Sequence, residues 1–199
     1  YAFTIIKKFA EYKNDSEYIA YIDEQQEKLG KILSECWNED RFIRGYMESG
    51  KEIGNRNDPE ANMWLNPQSW SVISGFASEE QSDLALESVY RELNTDYGVM
   101  LMAPSYKEHA FDGALMLLFN ASTKENGGIF SQPQGWIILA ESLKGHGNRA
   151  FEYFKDYLDD LDLYLYENNN IDYINGRSSF DKVMAVLNNS VLDKDYKYL

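Results

Sequence analysis

Residues 69–76, Ser69-Trp70-Ser71-Val72-Ile73-Ser74-Gly75-Phe76, are apolar nearly all round, with small side chains set between large ones. A helix of that pattern has no polar face to offer water and must be buried. The stretch directly after it has a different character. In Ser78-Glu79-Glu80-Gln81 a serine stands three residues before a glutamine, the pattern of a capping box. Leu84, Leu86, Val89, Tyr90 and Leu93 then give a surface helix, running to about Leu93, a single apolar stripe. A buried helix joined to an exposed one is the unit through which the rest of the chain is read.

The same alternation recurs on both sides. Phe3, Ile6, Phe9 and Ala10 mark a helix over about 2–13, broken at the capping residues Asn14-Asp15-Ser16. Tyr18, Ile19, Ile22, Leu29, Ile32, Leu33 and Cys36 mark a long helix with one polar face from Glu17 to Trp37. Residues 38–65 are a turn, a short extended run at Phe42–Met47 and a loop around Gly50, Gly54 and Asn55–Asn62. Tyr97–Phe119 reads as loop and extended chain, Trp136–Leu143 as a second apolar helix closed by Lys144-Gly145-His146-Gly147, and Arg149–Leu165 as an acidic amphipathic helix. The fold class is all-α. Polar-faced and apolar helices in alternation, with the long loops on one side, suit an α/α toroid of inner and outer helices and equally a plain bundle. Periodicity leaves both open.

Composition narrows the partners. Net charge is −14, which argues against nucleic acid and against anionic membrane surfaces, because both need basic patches. No apolar run reaches the ~18 residues of a membrane span. Cys36 is the single cysteine, so no disulfide forms within the chain, and no Cys or His spacing marks a metal site. No metal or cofactor is expected. Fifteen Tyr, ten Phe and four Trp provide flat faces on which sugar rings stack, besides filling a core. The chain opens at Tyr1 inside an amphipathic pattern, which reads as a cut in a longer protein.

Cys36-Trp37 with Phe42-Ile43-Arg44-Gly45-Tyr46, Asn66-Pro67-Gln68-Ser69-Trp70, and Tyr97-Gly98-Val99-Met100 with Ala103-Pro104 together resemble runs of the inverting β-disaccharide phosphorylases, the family of cellobiose, chitobiose, laminaribiose and cellobionic acid phosphorylases. Lys124-Glu125-Asn126-Gly127-Gly128-Ile129-Phe130, Gln134-Gly135-Trp136 and Gly145-His146-Gly147-Asn148-Arg149-Ala150-Phe151-Glu152-Tyr153 follow in the same order. Leu118-Phe119-Asn120 is most similar to the cellobionic acid and laminaribiose branches. The resemblance implies that 1–158 are the later part of an (α/α)6 barrel, with 159–199 an unmatched acidic, Asn-rich tail holding a short helix around Phe180–Leu187.

It also implies phosphorolysis of a β-linked disaccharide or oligosaccharide, with inversion, to an α-sugar 1-phosphate. Inorganic phosphate is the co-substrate, the location is cytoplasmic, and the partners are the remainder of the enzyme and, as a further arrangement, a second copy in a homodimer. The family's general acid lies in an Asp-Trp-Asn-Asp motif that these residues lack, so no catalytic residue is assigned here and the isolated chain is expected to be inactive. The other reading is a non-catalytic or hydrolytic carbohydrate-binding α/α relative.

By the same resemblance, Lys124 and Glu125 line the acceptor-sugar subsite and Phe119 borders it. A carboxylate can accept from two neighbouring hydroxyls, and an ammonium can donate to sugar oxygens. Without the resemblance, the pair is a surface salt bridge beside a turn. The Asn126-Gly127-Gly128 turn lets backbone come close to whatever lies there. Gln68 and Arg44 are further substrate-binding candidates. As alternatives, Gln68 is an amide at a helix start and Arg44 the partner of a carboxylate. Gln132 stands where the family has a phosphate-contacting His, and it offers one neutral hydrogen bond in place of a charge. His109 and His146 are not expected to act in catalysis.

Overall fold

A computed structural model describes residues 1–108 and 119–167 of the 199, with 159–167 as backbone only. The possible tail helix, His109 and Leu118 lie outside the described residues. Six helices carry the described chain: α1 (Ala2–Lys13), α2 (Ser16–Ser34), α3 (Leu65–Ile73), α4 (Glu79–Leu93), α5 (Ser131–Leu143) and α6 (Gly147–Glu167). Eight two-residue strands make four small antiparallel ladders between them. The fold is mostly α.

The caps follow the sequence. The Asp15 side chain accepts from the Tyr18 N–H at 3.0 Å and opens α2. Ser78 and Gln81 complete the reciprocal box that opens α4, so two of the backbone donors left over at a helix start are satisfied. Inner helices α3 and α5 pack against each other, α4 and α6 lie outside them, and one core joins them: Met63, Leu65, Val72, Leu86, Val89, Leu93, Val99, Ile137, Ala140 and Tyr153.

Both inner helices begin earlier than the periodicity implies, α3 at Leu65 in place of Ser69 and α5 at Ser131 in place of Trp136. The reason is the same at each. Pro67 and Pro133 are breakers in a helix interior, but each sits in the first turn, where the missing N–H had no helical partner to lose. At the other end of α2, Cys36 and Trp37 leave the helix, and Trp37-Asn38 (β1) pairs with Arg41-Phe42 (β2).

Aligning the two starts exposes an internal repeat. An aromatic N-cap in extended conformation (Trp64, Phe130) is followed at the third helical position by Pro, at the fourth by Gln and at the sixth by Trp. Each inner helix is preceded by a two-stranded hairpin, β1–β2 for α3 and β6 (Asn94–Thr95) with β7 (Gly98–Val99) for α5. Fully buried Gln68 accepts from the Phe42 N–H at 2.8 Å and donates to the Phe42 carbonyl at 2.8 Å. Gln134 does the same to Val99, at 2.8 and 2.7 Å. The amide end of a glutamine presents one acceptor and one donor, as a strand backbone does, and so extends each hairpin by one rung.

Replacing Gln134 with alanine leaves the Val99 N–H and C=O buried and unpaired, so a loss of roughly 2–3 kcal/mol in unfolding free energy is expected. Urea denaturation checks it, and Gln68→Ala should cost a similar amount.

A second device ties β2 to the outer layer. Arg41, 1% exposed, donates to both oxygens of Glu92 at 2.6 and 2.8 Å, to Asp40 at 2.8 Å and to the Asn62 carbonyl at 3.1 Å. Arg91 and Arg56 also bind Asp40, and Ser88 donates to it. Burial alone would raise the Asp40 and Glu92 carboxyls, but hydrogen bonds led by Arg41 outweigh it and hold both below their ordinary values of 3.8 and 4.5. A depressed folded-state pKa stabilises above the unfolded value and is lost as pH falls through the folded one. Stability is therefore expected to decline below about pH 4, more steeply in the wild type than in an Arg41 variant; denaturant midpoints from pH 6 to 2 test this.

Large apolar side chains stay exposed at both ends of the array: Phe9 (67%), Tyr12 (81%) and Ile32 (58%) on the α1–α2 hairpin, Leu143 (60%) and Phe151 (64%) on α5–α6. No helix among the described residues is long and apolar enough to cross a membrane.

Candidate functional site

The starts of α3 and α5 open on the same side, and two cavities lie there. One, of about 270 Å³, is lined by Asn66, Leu101, Glu125, Phe130, Gln132, Pro133 and Trp136. The other, of about 340 Å³, is lined by residues that include Cys36, Phe42, Arg44, Asn66 and Trp70. Asn66 belongs to both. Trp70 and Trp136, the equivalent indoles of the two inner helices, meet edge to face with centroids 5.5 Å apart and floor the pair of cavities.

Glu125 and Gln132, separately named from the sequence, therefore face one space. Glu125 is held there by the loop over 119–128. The buried Asn126 side chain accepts from the Tyr106 N–H at 2.8 Å and donates to the Tyr106 carbonyl at 2.9 Å and the Phe119 carbonyl at 3.0 Å. This is the glutamine clamp again, made by a loop residue. Gly127 has φ +88°, and a Cβ there would lie 2.5 Å from Ser105 Oγ and 2.9 Å from the Met102 carbonyl. The glycine pair lets the loop come close to the protein's own backbone, where the sequence pointed to close approach by a ligand.

The other expected residues are placed differently. Lys124, itself at φ 46°, sets its ammonium 5.0 Å from the centre of the Phe119 ring, and neither residue is among those lining the two cavities. A cation over a ring face is a favourable contact at an exposed site. Arg44 lies at the second cavity, stacked 5.6 Å from the Trp64 ring, with no carboxylate partner among the described residues. The Trp64 indole in turn packs on Gly54, which has φ +81°; a Cβ there would come within 2.8 Å of the ring. Gln68 does not reach either cavity. Its acceptor and both donors go to Phe42 and to the Trp64 carbonyl, so of its two readings the helix-start amide is the one observed.

Charge in the smaller cavity is lopsided. Glu125 is the one ionisable group among its described lining residues, beside two amides, two aromatic rings, a leucine and a proline. Such a lining suits a neutral ligand with hydroxyls to donate and an apolar ring face to stack. The sequence reading missed Asn66 and the clamping amides Gln134 and Asn126. The repeated Pro-Gln-x-Trp at 67–70 and 133–136 is the signal that could have found the first two. His146 pairs with the fully buried Glu141 at 2.6 Å, away from both cavities.

Residues 1–169 match the Glycosyl hydrolase 94 superfamily, catalytic domain. The chain belongs to this family. Among curated relatives of this glycosyl hydrolase 94 chain, the N,N'-diacetylchitobiose phosphorylase of Vibrio furnissii is 30% identical over 158 residues, covering 76% of the chain and 20% of the relative. The cellobionic acid phosphorylase of Neurospora crassa is 32% identical over 123 residues, covering 61% and 16%. The solabiose phosphorylase of Paenibacillus borealis is 29% identical over 124 residues, covering 62% and 16%. The chain thus spans a fifth or less of the length of these three relatives.

Proposed function

We propose that this glycosyl hydrolase 94 chain forms the acceptor-sugar wall of a phosphorylase that splits a β-linked disaccharide with inorganic phosphate and inversion. The observation that carries the proposal is the convergence of Glu125, Gln132, Asn66 and Trp136 on one cavity at the starts of two inner helices. Glu125 accepts from two sugar hydroxyls, Trp136 gives the ring an apolar face, and Gln132 contributes a neutral hydrogen bond at the phosphate position. Lys124 and Phe119 form the outer edge of the wall, and Arg44 extends it across the second cavity. A phosphate oxygen bonds to the anomeric carbon as the bond from that carbon to the bridging oxygen breaks. The proton that lets the bridging oxygen leave as an acceptor hydroxyl comes from an acid outside these 199 residues. The alternating helix pairs are part of an (α/α)6 ring, and the apolar faces at the two ends of the array support this by offering surfaces for further helices.

The test is phosphate release from α-glucose 1-phosphate with glucose, gluconate and N-acetylglucosamine as acceptors. The isolated chain is expected to give no turnover, and the longer protein that contains it to give acceptor-dependent release. Turnover by the chain alone would overturn the assignment of the acid.

A second reading is favoured by one observation, the lack of any cation among the described residues that line the smaller cavity. It is a sugar-binding or hydrolytic relative that does not use phosphate. Calorimetric titration with cellobiose in the presence and absence of phosphate separates the two, since only the first reading makes phosphate raise the sugar affinity.

A further inference from the structure

We propose that Asn66 is a ligand-contacting residue, the counterpart of Gln132 in the repeat, and that its side-chain amide holds the same sugar that Glu125 binds. The inference rests on the sugar-binding reading above. Its first support is the internal repeat. Asn66 and Gln132 each occupy the second helical position of an inner helix, directly before the Pro and two before the clamping Gln. Both line the cavity of about 270 Å³ that Glu125 also faces.

The second support is a missing partner. Asn66 Oδ1 is buried and accepts no hydrogen bond from the described residues. Three other buried side-chain oxygens among the described residues share that condition, in Asn94, Glu141 and Tyr153, but none belongs to a residue lining either cavity. An amide oxygen removed from water without a donor is unfavourable, and a ligand that turns the Asn66 amide so that this oxygen faces the cavity supplies the donor it lacks. A half-turn about the terminal torsion exchanges oxygen and nitrogen, and a sugar hydroxyl, which both donates and accepts, can bond to whichever of the two the cavity then presents. The third support is position. Among the described lining residues Asn66 alone is shared by the two cavities, so a ligand reaching from Glu125 toward Arg44 passes over it, along the floor made by Trp136 and Trp70.

The experiment is calorimetric titration of the chain with cellobiose, using wild type, Asn66→Ala and Asn66→Leu, which keeps the branched shape without the polar atoms, with thermal melts of each. Both variants are expected to weaken cellobiose binding by roughly fivefold or more, the loss of about one hydrogen bond. Melting temperatures should be unchanged or higher, because an unpaired buried acceptor has been removed. A merely structural Asn66 would instead show a lowered melting temperature with affinity unchanged. If wild type and Asn66→Leu bind cellobiose within twofold of each other, the assignment of Asn66 is overturned while the sugar site stands. If the wild type binds no cellobiose, the sugar-site reading falls, and the Asn66 assignment with it.

Discussion

Replacing Arg41 with alanine is expected to lower the unfolding free energy by roughly 3–5 kcal/mol, among the largest effects of any single substitution here. Arg41 is 1% exposed, and the bonds of its guanidinium to Asp40, Glu92 and the Asn62 carbonyl span strand β2, the loop before α3 and the outer helix α4. Its removal strands carboxylates that are themselves largely covered, the side chains of Asp40 and Glu92 being 17% and 26% exposed. Arg91 and Arg56 remain beside them, which places the loss toward the lower end of the range. The double variant Arg41→Met with Glu92→Leu should recover much of it, because an apolar pair of similar volume replaces a buried ion pair at little net cost. Urea denaturation of the single and double variants measures the coupling. A single variant within 1 kcal/mol of wild type would show that the cluster is only a surface network. By contrast, removing Lys31, whose pair with Glu27 is exposed on both sides, should leave the urea midpoint unchanged.

Substituting Gln132 with histidine is expected to raise phosphate affinity about five- to tenfold below pH 6.5 and to leave it nearly unchanged at pH 8. Gln132 sits in the first turn of α5, on the rim of the cavity that Glu125 shares. A neutral amide gives one ordinary hydrogen bond to an anion. An imidazolium gives a charge-assisted one, worth about 1 kcal/mol more, and it is cationic only below its pKa of about 6.5. The nearby Glu125 carboxylate repels phosphate, so the added charge acts where the local field is least favourable. Titration with inorganic phosphate at pH 6 and 8, for wild type and Gln132→His, checks both the gain and its loss with pH. A gain that did not depend on pH would locate phosphate elsewhere.

Much of the helical frame was legible because it rests on local chemistry. Ser78 and Gln81 are three residues apart and cap α4 wherever that helix packs, and the stripe from Leu84 to Leu93 needs only a partner surface to face it. The starts of α3 and α5 were not legible at Pro67 and Pro133, since proline ends a helix or begins one depending on a backbone direction set by the preceding chain. The site was legible in part. Glu125 and Gln132 stand out by residue type beside a turn, and they do face one cavity. Gln68 and Lys124 stand out just as clearly, yet one is spent on the Phe42 backbone and the other lies over Phe119.

An amide and a charge carry the same signal in a sequence whether they face a ligand or a neighbouring residue. What separates Gln68 from Gln132 is which side of α3 or α5 they occupy once both helices have packed, and that depends on hairpins distant in sequence, Phe42 lying 26 residues from Gln68 and Val99 lying 35 from Gln134. The amino-acid order by itself determined where buried and exposed helices alternate, how α2 and α4 begin, and which family runs are present, because these depend on neighbours within a few residues. Only the tertiary structure decided which polar groups are left over for a ligand, because a hydrogen-bonding group becomes available only after every closer partner has been counted.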